Sequence, residues 1–403
     1  MFTYIRLPSG FWKWTRWTLL GISVLAAATV GLCYFLENYD PDYPWSGALG
    51  RSLKAKGVWP GKYQHDGDWW YSVVIHLNNP RPAENFTQDE IDAIAGLKRI
   101  KHLHITGTSA QSMVNLLDTI RETESTSSIV IYQTALDDAS VDVLNKFTTL
   151  NMLSLQSQPS MGRVLARLEN PAIRNLSVGS WDLDDEAFTG LNPQLRLETL
   201  SLFCQNLTGE RFDKVAALRT LKKLNLRDCA IEGDALVHLK DHPHLESLSL
   251  CNLQISGRDL REIKSNKILK TLYLEGRFTA NSALKAVGDM ESLETLILMS
   301  QLGTEKALVH LKGAKSLKVL HINLPVTEVG IRHLAEVPRL EEFKAHVRLT
   351  KPVIRELTRL KNLKVLDPDL GPPFPAPESE LGQELRAAIP HLRVNRIHWR
   401  EPS

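Results

Sequence analysis

Residues 218–243 read LRTLKKLNLRDCAIEGDALVHLKDHP, and the spacing of their apolar residues changes partway through. Leu224 and Leu226 stand two apart, so they share one face of a strand. Ile231, Leu236 and Leu239 then move towards helical spacing. A period that changes from 2 to about 3.6 inside one stretch marks a strand, a turn and a helix. Residues 244–266, HLESLSLCNLQISGRDLREIKSN, and 292–314, SLETLILMSQLGTEKALVHLKGA, repeat the pattern.

The first apolar residue of each L-x-x-L-x-L core serves as a marker. It falls at Leu197, Leu221, Leu245, Leu269, Leu293 and Leu317, each 24 after the last, then at Leu340 and Leu363, each 23 on. Backwards the series runs through Ile173, Leu150, a degenerate unit at Thr126 carrying Ile129 and Ile131, and Ile100. A fixed period of this length is the signature of stacked repeats. No unit can bury its leucines alone, so stacking must build one continuous core.

These residues resemble the leucine-rich repeat family, closest to its ribonuclease-inhibitor-like and cysteine-containing branches. The resemblance covers residues 97–366 and implies an α/β fold, a right-handed solenoid with a curved parallel sheet inside and helices outside. It implies no activity. The family's polar residue after the strand is matched only at Cys229. Equivalent places hold Trp181, Gln205, Leu253, Arg277 and Gln301, so no continuous asparagine ladder is expected.

Cap residues mark the expected helix starts: Thr208, Thr304, Thr327 and Thr350, the last followed by Lys351-Pro352. At the front, Tyr71–Leu77 reads as a strand, and Thr87-x-x-Glu90 opens a helix as a capping box. At the rear, 367–377 is a proline-rich turn, 378–389 reads as a helix and 392–394 as an edge strand. The expected organisation is a basic tail (1–16), a transmembrane helix (17–36), a linker (37–60), an N-terminal cap (61–96), the repeats (97–366) and a C-terminal cap (367–403).

Residues 17–36, WTLLGISVLAAATVGLCYFL, carry no charge and no proline. Twenty helical residues span about 30 Å, the thickness of a hydrocarbon core. Trp12, Trp14 and Trp17 precede or open the run, and Tyr34, Phe35, Tyr39, Tyr43 and Trp45 close or follow it, as at two membrane interfaces. Arg6, Lys13 and Arg16 lie before it; Glu37, Asp40 and Asp42 lie after it. The positive-inside rule then puts the N-terminus in the cytoplasm and the repeats on the outer side of a single-pass protein. The alternative is a secretory signal cleaved near Ala26-Ala27-Ala28. Ala27 and Gly31 form a small-xxx-small pair, a weak sign of helix dimerisation.

Hydrophobic content of 43% and charged content of 23% belong to a folded protein. The net charge is +2, and residues 1–36 supply +3 of it. The remainder has 45 basic residues (48 less 3) against 46 acidic ones, so it carries no electrostatic footprint for nucleic acid. Cys33, Cys204, Cys229 and Cys251 are too few for a disulfide scaffold and read as free buried thiols, with a Cys204–Cys229 or Cys229–Cys251 bridge left open for an exported domain.

Strand positions between the core leucines should face outward, onto the concave surface. The position after each marker reads Glu198, Lys222, Glu246, Lys270, Glu294, Lys318, Glu341, Lys364, alternating in sign. With strands about 4.8 Å apart, each charge lies between two opposites, and the row reads as a stacking and register device. The central row runs His104, Val130, Ser154, Ser177, Ser201, Asn225, Ser249, Tyr273, Ile297, His321, Lys344. The row beyond it includes Phe203, Arg227, Glu275 and Met299. Phe203, Arg227, Tyr273, Ile297, Met299 and His321 among small polar residues make the expected protein-binding strip.

The chain holds no catalytic nucleophile motif, zinc-protease motif, phosphate loop or C-x-x-C pair, so no enzyme activity and no cofactor is expected. His76, His102 and His104 are the metal candidates considered: in register, His76 would lie beside His104. His238, His242 and His244 near a helix exit are explained by helix capping, and Asp182-x-Asp184-Asp185-Glu186 by the helix dipole rather than calcium. The expected role is a membrane-anchored, non-catalytic module that binds another protein. The competing readings are a metal-dependent factor or enzyme using the histidines, and a purely structural envelope component.

Overall fold

The computed structural model describes residues 48–395 apart from 57, 66–67, 77–85, 98, 108–109, 157–160, 181–182, 232, 254–255, 277–279, 289, 301 and 369–375. The expected basic tail and transmembrane helix, 1–36, therefore lie outside the described residues. Among the described residues no helix is long and apolar enough to cross a membrane. The chain divides into two compact units, residues 1–131 and 132–403.

The first unit opens with a helix, Ala48–Ala55, and an antiparallel hairpin of β1 (Val58–His65) and β2 (Asp68–His76). Helix Gln88–Ala95, β3 (Ile100–Thr106), helix Ala110–Arg121 and β4 (Ser128–Tyr132) follow. The capping box is formed: Thr87 accepts from the Glu90 amide, and Glu90 accepts from the Thr87 amide at 2.8 Å. Glu90 does more, and it reaches residues 52 and 56 within the expected linker 37–60. Its carboxylate also accepts from Ser52 Oγ at 2.7 Å and Lys56 Nζ at 2.8 Å. Those bonds tie the 48–55 helix to the 88–95 helix, while Leu53 and Val58 are buried. Pro60 and Gly61 mask β1 as a strand; proline is tolerated there because β1 is an edge strand.

Register differs from the expected one in this unit. A bulge lets Tyr71 face Ile100 while Ser72 faces His102, so Lys101 is skipped. His104 consequently lies opposite Val74, and His76 opposite Thr106, rather than opposite one another.

In the second unit every strand is parallel to the next. They are β5 (Met152–Gln156), β6 (Asn175–Gly179), β7 (Thr199–Phe203), β8 (Lys223–Arg227), β9 (Ser247–Cys251), β10 (Thr271–Glu275), β11 (Thr295–Met299), β12 (Val319–Val326), β13 (Glu342–Val347), β14 (Val365–Asp367) and β15 (Arg393–Val394). Direct register aligns Leu153, Leu176, Leu200, Leu224, Leu248, Leu272, Leu296, Leu320, Phe343, Leu366 and Val394 in one column. All are buried, and so are the markers from Leu150 to Leu363. This is the leucine-rich-repeat coil that the resemblance implies. Each such side chain contributes about 2 kcal/mol relative to exposure.

The main chain locks successive coils at one point. The Glu198 carbonyl accepts from the Lys222 and Lys223 amides, both at 2.9 Å. Lys222, Glu246, Lys270, Glu294, Lys318 and Glu341 repeat the arrangement, each carbonyl taking two amides of the next coil. After β8 and β9 the chain turns through Asp228 and Asn252 at φ 52° and 54°, a left-handed region that short polar side chains tolerate. Asn252 Nδ2 donates to Asp228 Oδ1 at 2.9 Å.

The outer elements are not all α-helices. Asp185–Phe188, Gly233–Leu239 and Glu305–Gly313 are 3₁₀ turns. Thr327 and Thr350 cap as expected, by accepting from Val329 and Val353 amides. Thr304 sits at the cap position without a side-chain cap bond. Thr208 is no cap at all: its amide and hydroxyl donate to Asp185 Oδ2 at 2.7 and 2.8 Å. Asp185 also accepts from the Gly209 and Arg211 amides. An acid of one coil thus ends the next coil's loop, and the carboxylate that suggested calcium is saturated by donors. Glu305 does the same for Thr327 and Gly330.

Carbonyls at the other end of the outer elements take donors from the next coil too. Asn170 Nδ2 donates to the Leu144 and Phe147 carbonyls, and Asn266 Nδ2 to Leu239. His242, 24 residues before Asn266, fills the same place. Its Nε2 lies 3.1 Å from the Leu218 carbonyl, and its Nδ1 lies 3.4 Å from the His244 amide. Only the neutral ring with Nε2–H satisfies both partners. Burial, together with the Arg219 and His244 charges, outweighs the Leu218 bond and holds the ring below the ordinary value of 6.5.

A His with a depressed folded pKa binds fewer protons folded than unfolded, so its contribution is present above 6.5 and lost as pH falls below it. His242→Asn should keep the donor and acceptor and flatten that acid-side slope. His242→Leu leaves the carbonyl unpaired and should cost about 1–3 kcal/mol. Urea denaturation of the variants between pH 5 and 8 checks both; an unchanged slope in His242→Asn would refute the assignment.

Candidate functional site

The face opposite the leucines carries strand positions 1, 3 and 5. Register sets Ser154, Ser177, Ser201, Asn225, Ser249, Tyr273, Ile297, His321, Lys344 and Asp367 side by side in the third-position row. The fifth-position row reads Gln156, Gly179, Phe203, Arg227, Cys251, Glu275, Met299. Tyr273, Ile297, Met299 and His321 therefore form one contiguous group on β10–β12. Phe203 and Arg227 form a second on β7 and β8. Ser249 and Cys251 of β9 lie between them.

The two halves differ in bulk. Across β5–β8 the row is small and bonded to itself. Gln156 Nε2 donates to Ser154 Oγ and Ser177 Oγ, each at 3.3 Å, and Asn225 Nδ2 donates to Ser201 Oγ at 3.0 Å. Gly179 permits this, since a Cβ there would collide with the Gln156 amide. Across β10–β13 the side chains are larger and paired. Tyr273 Oη donates to Glu275 Oε2 at 2.8 Å, His321 Nε2 lies 2.7 Å from Glu342 Oε1, and Lys344 lies 3.5 Å from Asp367. Burial and the Glu275 carboxylate push the Tyr273 phenol well above its usual range.

Cys251 is a free, buried thiol as expected, and its strand position puts it on this face. It is only 3% exposed because neighbours cover it: Arg227 Nη2 at 3.9 Å and Ser249 Oγ at 3.5 Å. Its spacing of 24 from both Arg227 and Glu275 was the available signal. Cys204 and Cys229 are buried free thiols behind the sheet, raised by desolvation to about 12 and about 11. Thiols held protonated in this way are poor nucleophiles. Cys33 lies outside the described residues. Among the described residues no three His, Cys, Asp or Glu side chains converge as a metal site would require.

The alternating row is resolved into pairs. Lys222 bonds Glu198 at 2.9 Å, Lys270 bonds Glu246 at 3.2 Å, Lys318 bonds Glu294 at 2.7 Å and Lys364 bonds Glu341 at 2.7 Å. Each lysine takes the glutamate of the coil before it, and no ion pair joins Lys222 to Glu246. The carboxylates of Glu198 and Glu294 sit below their usual range, chiefly through the lysine hydrogen bond. Arg174 precedes the row and adds its charge at Glu198.

No family model matches the chain, and no curated protein does. Among solved structures it is similar to an internalin, InlF, from Listeria monocytogenes, with a TM-score of 0.43 and 16% identity over 75% of this chain and 87% of that one. It is similar also to a leucine-rich-repeat protein of Leptospira interrogans, with a TM-score of 0.37 and 16% identity over 77% and 93%. A third is TLR13 in complex with a single-stranded RNA, at a TM-score of 0.41 and 14% identity over 70% and 52%. The fold assignment rests on the leucine columns and their register, not on these likenesses.

The paired row makes a specific expectation. Lys270→Glu removes one half-exposed pair and sets like charges side by side, so unfolding free energy should fall by under about 1 kcal/mol. The swap Glu246→Lys/Lys270→Glu rebuilds the pair and should recover most of that loss. Urea midpoints at low salt are the measurement; a swap no better than the single variant would show a continuous ladder instead.

Proposed function

We propose that this chain is a non-catalytic recognition module that binds another protein through the exposed face of β7–β12. One observation carries the reading. Tyr273, Ile297 and Met299 stand together at half-exposed positions of a largely polar face. The fold does not need apolar area there, since the leucines are already buried on the other face. Aromatic residues and methionine among polar ones are what protein interfaces concentrate.

We propose also that residues 17–36 anchor the module in a membrane, with the N-terminus cytoplasmic and the repeats on the outer side. Support comes from the uncharged run and its flanking charges.

Affinity capture from membranes, with the full chain as bait, tests the binding face. Tyr273→Ala/Met299→Asp should lose a specific protein that the wild type retains; identical protein lists for both would discard the idea. Topology is tested separately. Protease added outside intact cells should digest the repeats, and a mature N-terminus lying beyond Ala28 would replace the anchor with a cleaved signal.

A further inference from the structure

Two cations cross the exposed face on β8, two strands from the nearest member of the apolar group. Lys223, Asn225 and Arg227 alternate onto that face, between the buried Leu224 and Leu226. Both cations are exposed, and among the described residues neither takes part in an ion pair, whereas the adjacent Lys222 bonds Glu198. Arg227 has one side-chain partner, Cys251 Sγ at 3.9 Å. A thiol is a weak acceptor, and a guanidinium carries five donors, so most of its hydrogen-bonding capacity is unspent.

The carboxylates whose charge reaches Arg227 are Glu275 and Asp228. Each is engaged by a neutral donor instead: Glu275 by Tyr273 Oη and Asp228 by Asn252 Nδ2. Thr199, Ser201, Ser247 and Ser249 flank Lys223 and Asn225 on β7 and β9, and all four are short and uncharged; Arg227 stands between Phe203 and Cys251, neither of them a carboxylate. The Lys223 and Arg227 Cα atoms are about 13 Å apart along the strand, and both side chains can reach over Asn225.

We propose that Lys223 and Arg227 bind a side-chain carboxylate of an acidic segment in the protein partner. This inference rests on the protein-binding reading and adds the chemistry of the partner to it. Charge complementarity selects an anion. Geometry selects a peptide. The Tyr273, Ile297 and Met299 group lies two to three strands away, about 10–15 Å, which three or four residues of extended chain span. The segment would thus carry an acid followed, three or four residues later, by an apolar side chain.

The test uses the full chain in neutral detergent and fluorescein-labelled octaglutamate, read by anisotropy at low ionic strength. Wild type should bind saturably. Lys223→Gln/Arg227→Gln should weaken binding at least about tenfold, since charge-assisted bonds are lost, while Lys312→Gln/Lys361→Gln, with the same loss of charge, should not. Absence of saturable binding, or equal weakening in the control, overturns the proposal. A single-stranded oligonucleotide that binds more tightly than octaglutamate also overturns it, in favour of a nucleic-acid surface.

The capture experiment separates this inference from the reading beneath it. A partner lost with Tyr273→Ala/Met299→Asp but kept with Lys223→Gln/Arg227→Gln sinks the cation pair and leaves the binding face standing. A partner lost in both supports the two together. Identical capture lists throughout sink the binding face, and octaglutamate then judges the two cations alone.

Discussion

Seven coils of the second unit, from Glu198 to Glu341, each give one main-chain oxygen to two amides of the coil that follows. That oxygen belongs to the residue just before the strand, the same residue whose side chain carries the alternating charge. A carbonyl has two lone pairs, and a buried one left unpaired costs as much as a lost hydrogen bond. Satisfying both from one neighbour fixes where the next strand begins. The leucines then fall into columns because their starting points are level. Packing supplies the energy, and the shared oxygen supplies the alignment.

Side chains from neighbouring coils finish the outer elements in the same manner. Asp185 and Glu305 hold the loop amides of the next coil, and Asn170, His242 and Asn266 hold carbonyls of the preceding one. A short 3₁₀ turn with loose ends would be unstable alone, since isolated short helices are marginal. Here Gly233–Leu239 is closed by Asn266 and Glu305–Gly313 by Asn281, residues of neighbouring coils. A coil is therefore incomplete without both neighbours, in its polar groups as well as in its leucines.

The marker spacing made the coil legible, because a buried leucine must recur at the same phase in every turn. The strand rows were legible for the same reason, and Phe203, Arg227, Tyr273, Ile297, Met299 and His321 all fall on the face expected of them. Features that depend on a bond between distant residues were not. Nothing in the Tyr71–His76 pattern announces the bulge that separates His76 from His104. Ser52 and Lys56 lie in a stretch without strong period, and their partner Glu90 lies more than thirty residues further along the chain. Thr208 looked like a cap because its local sequence suits one, yet its partner lies in another coil. Cys251 is buried as a free thiol is expected to be, and its phase in the repeat puts it beside Arg227.

The row of alternating charge has a further property once it is seen as couples. Glu198 with Lys222, Glu246 with Lys270, Glu294 with Lys318 and Glu341 with Lys364 each join two coils. Excising one coil would orphan a charge and bring two of the same sign face to face; excising two would leave the sequence of signs intact. The array therefore has a parity. Its natural unit of growth or loss by duplication is a doublet of about 48 residues, twice the length over which its backbone repeats.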